Sequence, residues 1–569
     1  MDTQQAERTF TPELGGFLIC LVLAMCALFT LCGALFLVLY LGGGGTGASD
    51  PGLLAGVALR ALLAALVLGV ALAGVWGLRG AAAAPVAQAV DGAAFGAVHA
   101  AGLGLVLCLA ALVLLPRLAA YPWAAPDEVH HLGVAKNLAV HNAYASGSPE
   151  QGFHYFDPYD SVGPAVLAPV AGAFKLFGVS VGGARVVVAC FFLALCAGLF
   201  LLAAPVLGPG AALAGTAFVP MAYSSIYLGR TLYGEAPALA YFVFGLVCWR
   251  ASIRREAAVR WGLAAGVLFG LAVLSKTIMV LAAFPMLGAV VLDGLSVRRV
   301  GYTQLLSPVA GGLAVVGAWW FVQFWAQSSV QESAGATMGL YQHYLLFGVE
   351  PVLQNLGRSF LAYPLGHLAA AAGMVFGAGL CFRRAYSPAL AVLWLLAVFY
   401  AYWWTFFTPG QLPRYLWASY AVAALFAGGL CWRLLTAGFR ARGAVRRIGA
   451  AVAAVLVAAP YAFWTCGQAA EVYRNSEMLD DYAVAQYVEE LPESVAIATS
   501  FWPLQGTLRL LAGRDAEVVA SISEGLASHD IVLALADAAG PSLEQAGTIR
   551  QNLGRYVILR RWEQPAELE

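Results

Sequence analysis

The chain has 569 residues, of which 61% are hydrophobic and only 11% charged, and it carries no net charge at pH 7. Soluble globular proteins run at about 45–50% apolar and about 25% charged residues. A mean hydropathy of +0.77 therefore excludes a soluble enzyme, a disordered chain and a collagen-like fibre, and the balanced charge implies no nucleic-acid partner.

Apolar runs long enough to cross a bilayer fall at 14–41, 53–78, 93–115, 182–204, 207–223, 234–250, 258–274, 277–293, 306–328, 364–382, 387–407, 415–433 and 448–465. The first is too long for a signal-peptide core and reads as a retained span. The apolar stretch 164–178 is short for a crossing and reads as an interfacial or re-entrant helix. With that choice the pairs Arg254-Arg255, Arg298-Arg299, Arg383-Arg384 and Arg446-Arg447 all fall on one side. The positive-inside rule then places the N-terminus in the cytoplasm and the C-terminus outside. The ten cysteines lie almost entirely in apolar runs and form no CxxC pair, which speaks against a disulfide or zinc framework.

The expected fold is thus a polytopic α-helical membrane protein with about 13 transmembrane helices and a small α/β extracytoplasmic domain at its C-terminus. Residues 1–92 supply a cytoplasmic tail and two extra spans. Residues 93–465 form the membrane core, with outer segments at 116–181 and 329–363. Residues 466–569 form the polar tail, in which β-like runs (Val495–Thr499, Glu517–Ser521, Ile531–Leu535, Tyr556–Leu559) alternate with helical ones. A composition rich in Ala, Gly and Arg with three lysines in all suits a GC-rich bacterial genome, and hence a bacterial plasma membrane.

The first outer segment holds the most chemistry. It opens Tyr121-Pro122-Trp123-Ala124-Ala125-Pro126-Asp127-Glu128 and continues as an amphipathic pattern through Val129, Leu132, Ala135 and Leu138. Pro126 suits a first helical turn, where Asp127 and Glu128 meet the positive end of the helix. Two readings compete: the carboxylates cap the helix, or one of them acts as a base at the membrane edge. Four of the eight histidines, His130, His131, His141 and His154, share this segment with Lys136, Lys175, Asp157 and Asp160. Asp127 and His131 are spaced for one helix face. The His-rich loop leaves a divalent metal open as a cofactor, but its spacing matches no compact ligand motif, and no other cofactor is indicated.

The run PDEVHHLGVAKNLAVHNAY, with YFDPYDSVGPAVLAPVAGAFKLFGVSVGGAR at 155–185, GRTLYGEAPALAYF at 229–242, GLAAGVLFGLAVLSKTIMVL at 262–281 and PRYLWASYAVAALFAG at 413–428, resembles the GT-C glycosyltransferases. The nearest branch is that of the protein O-mannosyltransferases and lipid A aminoarabinose transferases, and the resemblance covers about 93–435. Glu235 stands where many relatives have Asp, and the tail carries no motif of the family. The resemblance implies inverting transfer of a sugar from a polyprenyl-phosphate donor to an extracytoplasmic acceptor. Asp127 would be the catalytic base and Glu128 its acidic partner. Lys276, Arg230 and Arg414 would meet the donor phosphate, with Tyr415, Glu235, Lys175 and His131 as further substrate-side residues.

Physical reasoning supplies the same minimum kit. A leaving phosphate gains charge and needs preorganised cations, and an acceptor hydroxyl or amine needs a base within reach. Plainer readings stand beside these roles. Lys276 can snorkel to the interface, Arg185 can anchor a span there, and Glu235 suits a helix start. A polyprenyl-linked glycan polymerase or ligase, which the segment with Glu332, His343 and Arg358 would serve, is an alternative. A lipid-linked sugar transporter is another, although inverted repeats and broken mid-membrane helices are not visible in the sequence.

Overall fold

The computed structural model describes residues 97–149, 152–156, 161–254, 257–296, 300–326, 355, 363–381, 387–407, 413–441, 443–475, 477–537 and 548–561. The runs expected to span at 14–41 and 53–78, and nearly all of 329–363, including Glu332, His343 and Arg358, lie outside the described residues, as do Asp157 and Asp160.

In chain order the helices are α1 (Ala97–Leu114), α2 (Pro126–Val140), α3 (Pro164–Phe177), α4 (Val181–Leu207), α5 (Pro209–Phe218), α6 (Glu235–Arg254), α7 (Ala258–Ser275), α8 (Ala283–Ser296), α9 (Tyr302–Ala326), α10 (Pro364–Cys381), α11 (Pro388–Phe407), α12 (Trp417–Arg440), α13 (Ala444–Arg474), α14 (Glu477–Glu489), α15 (Trp502–Leu511) and α16 (Ile522–Ser528). The strands are β1 (Ala145–Ser148), β2 (Gly152–Tyr155), β3 (Ile497–Thr499), β4 (Glu517–Val518), β5 (Ile531–Leu535), β6 (Thr548–Leu553) and β7 (Tyr556–Arg561). Among the described residues 8 helices are long and apolar enough to cross a membrane.

The span expected over 207–223 is shorter than its apolar run. Gly208, at φ +83°, breaks the chain after α4, and α5 has only ten residues before Pro220. Ten residues reach about 15 Å, half of a ~30 Å hydrocarbon core. The stretch 164–178 forms α3, a 14-residue helix that is too short to span. It buries Val166, Leu167, Val170 and Phe174 and leaves Leu176 and Phe177 77% and 83% exposed.

The chain divides into two units. The first takes Phe191–Ile226 and Glu235–Gly467 together with the chain up to Ala111. Its helix α11 is buried along Ala389–Leu396, as expected of a helix that is apolar all round. Helices α7 and α9 meet along Gly262, Gly266 and Gly270, spaced four apart. A Cβ on Gly266 would lie 2.1 Å from the Pro308 carbonyl oxygen and 2.8 Å from Gly312 N. Small residues at this spacing let two membrane helices approach backbone to backbone. Gly266→Val is expected to force the pair apart and lower stability by about 1–3 kcal/mol, the usual cost of overpacking. Thermal unfolding of the detergent-solubilised protein measures this, and an unchanged midpoint would refute the close contact.

The second unit takes Leu112–Cys190, Tyr227–Gly234 and Gln468–Glu569. The first outer segment and the polar tail are thus one body. Helix α2 lies against α3 and α15, and its Val129, Leu132, Val134 and Ala135 share a core with Val166, Leu167, Val170, Met478 and Leu510. Each large apolar side chain fully buried there contributes about 1.5–3 kcal/mol. The tail carries a five-stranded sheet in the order β4-β3-β5-β7-β6. Its β3 runs parallel to β4 and β5, while β7 is antiparallel to β5 and β6. Gly554 turns β6 into β7 at φ +60°, with the Asp480 carboxylate where a Cβ would sit.

Candidate active site

The residues singled out by sequence fall into two side-chain clusters, one in each unit. The first is built on the N-terminal turn of α2. Pro126 opens the helix, with Asp127 and Glu128 in its first turn and no side-chain cap from Ala125. Asp127 and Glu128, adjacent in sequence, part company here. Asp127 is exposed, and Glu128 is fully buried.

Glu128 is held on both oxygens. Arg185 donates from Nε to Oε1 at 3.0 Å and from Nη2 to Oε2 at 2.7 Å, and Leu232 N donates to Oε1 at 3.1 Å. The remaining Arg185 arm donates to the Leu118 carbonyl at 2.8 Å. This bidentate geometry is the strongest form of the ion pair. It joins α2, the start of α4 and the 227–234 segment at one point. Arg185, read from sequence as an interface anchor, has no exposed surface. Glu128, expected beside the base as an acidic partner, faces this clasp.

Arg230 also differs from its sequence reading as a phosphate ligand. Its guanidinium donates to the backbone carbonyls of Tyr121, Leu114 and Pro116 at 2.7, 2.9 and 2.8 Å, with a longer contact to Val113 at 3.3 Å. Burial, with the Arg185 cation adding to it, pushes its pKa down to about 10. It is still a cation at neutral pH, and it fixes the backbone that leads into α2. His131, expected on the substrate side, is buried with Nδ1 3.1 Å from the Leu232 carbonyl oxygen. It too secures the 227–234 segment. Lys175 is exposed and donates to Asn142 Oδ1 at 2.7 Å.

The second cluster gathers where α6 starts, α7 ends and α12 is approached. Lys276 sits in extended backbone between α7 and the 3-10 turn Thr277–Ala282. Its N–H closes α7 on the Ala272 carbonyl at 3.1 Å, and its extended backbone turns the chain out of the helix. Its Nζ lies 3.5 Å from Glu235 Oε1, and Arg414 Nε lies 3.9 Å from the same oxygen. The Tyr415 ring faces both cations, with its centroid 6.0 Å from Lys276 Nζ and 5.3 Å from the Arg414 guanidinium carbon. Lys276 and Glu235 are 3% and 9% exposed, and Arg414 is 13% exposed. Two cations thus stand near one carboxylate in a desolvated place, where charges act far more strongly than in water. The sequence separations among Glu235, Lys276 and Arg414 hide this convergence, although each lies at a visible break between apolar runs.

Sequence reasoning missed Asp481. Its carboxylate is buried and accepts from Trp123 Nε1 at 3.0 Å, Arg555 Nη2 at 2.6 Å and the Tyr556 hydroxyl at 2.8 Å. Burial holds its pKa above the ordinary range, against the opposing pull of Arg555, Tyr556 and Trp123. No sequence signal marks it beyond an acidic pair on a helix. Among the described residues no group of three or more His, Cys, Asp or Glu side chains stands together as a metal ligand set.

Residues 161–320 match the family described as dolichyl-phosphate-mannose-protein mannosyltransferase. That stretch contains Arg185, Arg230, Glu235 and Lys276 and begins after Asp127. The crystal structure of ArnT from Cupriavidus metallidurans bound to undecaprenyl phosphate is similar at a TM-score of 0.56 and 14% identity, over 81% of this chain and 99% of that one. Its apo state gives 0.56 and 14% over 82% and 100%. The archaeal oligosaccharyltransferase AglB from Archaeoglobus fulgidus, in complex with an inhibitory peptide and a dolichol-phosphate, gives 0.48 and 14% over 83% and 75%. No curated protein matches the chain in sequence. The chain thus shares the multi-pass helical GT-C fold of ArnT along most of its length, and its central helices match the mannosyltransferase family model.

Proposed function

We propose that the protein moves a sugar from a polyprenyl-phosphate donor to an extracytoplasmic acceptor with inversion at the anomeric carbon. The observation that carries this reading is the division within the acidic pair: Glu128 is locked to Arg185, while Asp127 stays exposed on the same helical turn. A carboxylate kept out of the clasp can accept a proton, and its neighbour keeps the turn in place. The Asp127 carboxylate takes the proton of the acceptor hydroxyl or amine as that group bonds to the anomeric carbon. The bond from that carbon to the phosphate oxygen breaks, and the polyprenyl phosphate leaves with the electron pair. Lys276 and Arg414 meet the growing phosphate charge, and Tyr415 backs both cations. Glu235 lies within 3.5 Å of one cation and 3.9 Å of the other. The clustered arginine pairs orient the chain with this chemistry outside a bacterial plasma membrane.

The test uses the full-length protein in nanodiscs with a panel of undecaprenyl-phosphate sugars, scored by release of undecaprenyl phosphate. Turnover of at least one donor is expected, and none across a panel that includes neutral and amino sugars would refute the reading. Lys276→Met is expected to weaken binding of undecaprenyl phosphate about 10–100-fold, as loss of one charge-assisted contact should. It is also expected to slow transfer, because the same charge meets the transition state. Wild-type phosphate affinity in this variant would remove Lys276 from the donor site.

A further inference from the structure

The lead-in to the catalytic helix is held from outside. Besides receiving the Trp123 indole N–H on Asp481, α14 presents Met478. Its Sδ accepts from Ala124 N at 3.1 Å, and its backbone N donates to the Ala120 carbonyl at 3.3 Å. Arg555 lies over the Trp123 ring with its guanidinium carbon 5.1 Å from the centroid, and Phe501 stacks on that ring at 6.0 Å. Asp480 fixes the β6–β7 turn that carries Arg555, accepting from Arg555 N at 3.1 Å. At the other end of α2, Lys136 Nζ donates to the carbonyls of Arg509 and Leu510, at 3.0 and 3.1 Å. These are terminal carbonyls of α15, which attract a cation.

We infer that the C-terminal domain is a positioning device for the general base, with Asp481 as the residue through which it acts on Asp127. Asp481 touches neither acceptor nor donor in this scheme. It draws Trp123, four residues before the base, onto one buried carboxylate together with Arg555 and Tyr556. Because α2 has no side-chain cap of its own, the Trp123 anchor joins Pro126 and the Glu128 clasp in fixing its first turn. A misplacement of about 1 Å at a reacting group costs on the order of 10²-fold in rate. The domain that carries no recognisable motif thereby acquires a role in the transfer step. The inference rests on Asp127 being the base.

Asp481→Asn in the full-length protein tests it, with Trp123→Phe as a milder partner that keeps the ring stack and loses only the indole N–H. Hydrogen exchange is measured over 124–132 and over β3 and β5, alongside turnover and undecaprenyl phosphate binding in nanodiscs. Exchange over 124–132 is expected to rise at least about tenfold in Asp481→Asn, with the strands unchanged. Turnover is expected to fall about 10–100-fold, with undecaprenyl phosphate affinity within about twofold of wild type. The double variant is expected to be no worse than Asp481→Asn, since the two residues act through one contact. Unchanged exchange over 124–132, or unchanged turnover where Asp127→Asn is inactive, overturns the positioning role alone. Exchange rising equally in the strands reduces Asp481 to a folding residue and also overturns it. Should Asp481→Asn fail to fold, the same three readouts on Trp123→Phe decide the matter. Full activity of Asp127→Asn overturns the base assignment and this inference with it.

Discussion

Asp127→Asn is expected to cut sugar transfer by about 10²–10⁴-fold, the range that general-base catalysis contributes, while leaving the fold intact. The substitution keeps the size of the side chain and removes only its ability to take a proton. Stability should hardly change, because Asp127 is exposed and sits in the first turn of α2. Losing a negative charge near a helix N-terminus costs only about 0.3–1 kcal/mol. Binding of undecaprenyl phosphate should persist, because the cations assigned to it are Lys276 and Arg414. A helix-capping role makes the opposite forecast, since Asn serves a helix N-terminus nearly as well as Asp. The readings differ by orders of magnitude in one assay of the purified protein. Wild-type transfer by Asp127→Asn would eliminate Asp127 as the base.

The membrane helices were legible because apolar runs of bilayer length need no knowledge of partners. Lys276 was marked by the charged Ser275-Lys276-Thr277 break between two apolar runs, where interface snorkelling and a phosphate contact compete as readings. What stayed hidden depends on long-range contact. Asp127 and Glu128 are equivalent by position in sequence, and only Arg185, 57 residues on, separates an enclosed carboxylate from an exposed one. Arg230 was expected at the donor phosphate because the family resemblance implies a cation there. Backbone carbonyls left over at the end of α1 and in the turn after it satisfy its guanidinium instead. Asp481 lay beyond reach, as its partners Trp123 and Arg555 stand 358 and 74 residues away. The packing of α7 on α9 along Gly262, Gly266 and Gly270 likewise emerges only from the structure.

Glu128→Gln is expected to destabilise the protein severely through a charge effect, and to do so whatever the state of the active site. In the native fold one buried carboxylate compensates Arg185, with a second buried guanidinium, Arg230, near enough to feel its charge. Removing the carboxylate charge leaves both cations enclosed without a counter-ion, and breaking a buried pair in this way costs about 3–5 kcal/mol. For a cooperative unit of this size that corresponds to a fall of about 6–20 °C in Tm. Arg185→Leu should cost a similar amount from the other side, because the Leu232 amide alone cannot replace a bidentate guanidinium. The double replacement Glu128→Leu with Arg185→Met should recover much of the loss, since a well-packed apolar pair avoids the desolvation of both ions. The measurement is thermal unfolding in nanodiscs for all three variants, with transfer assayed well below each midpoint. Should Glu128→Gln keep the wild-type midpoint and yet lose transfer, Glu128 would belong to the reacting groups and the clasp would not be its main work. A lowered midpoint with transfer surviving in the cold would leave Asp127 as the working carboxylate of the pair.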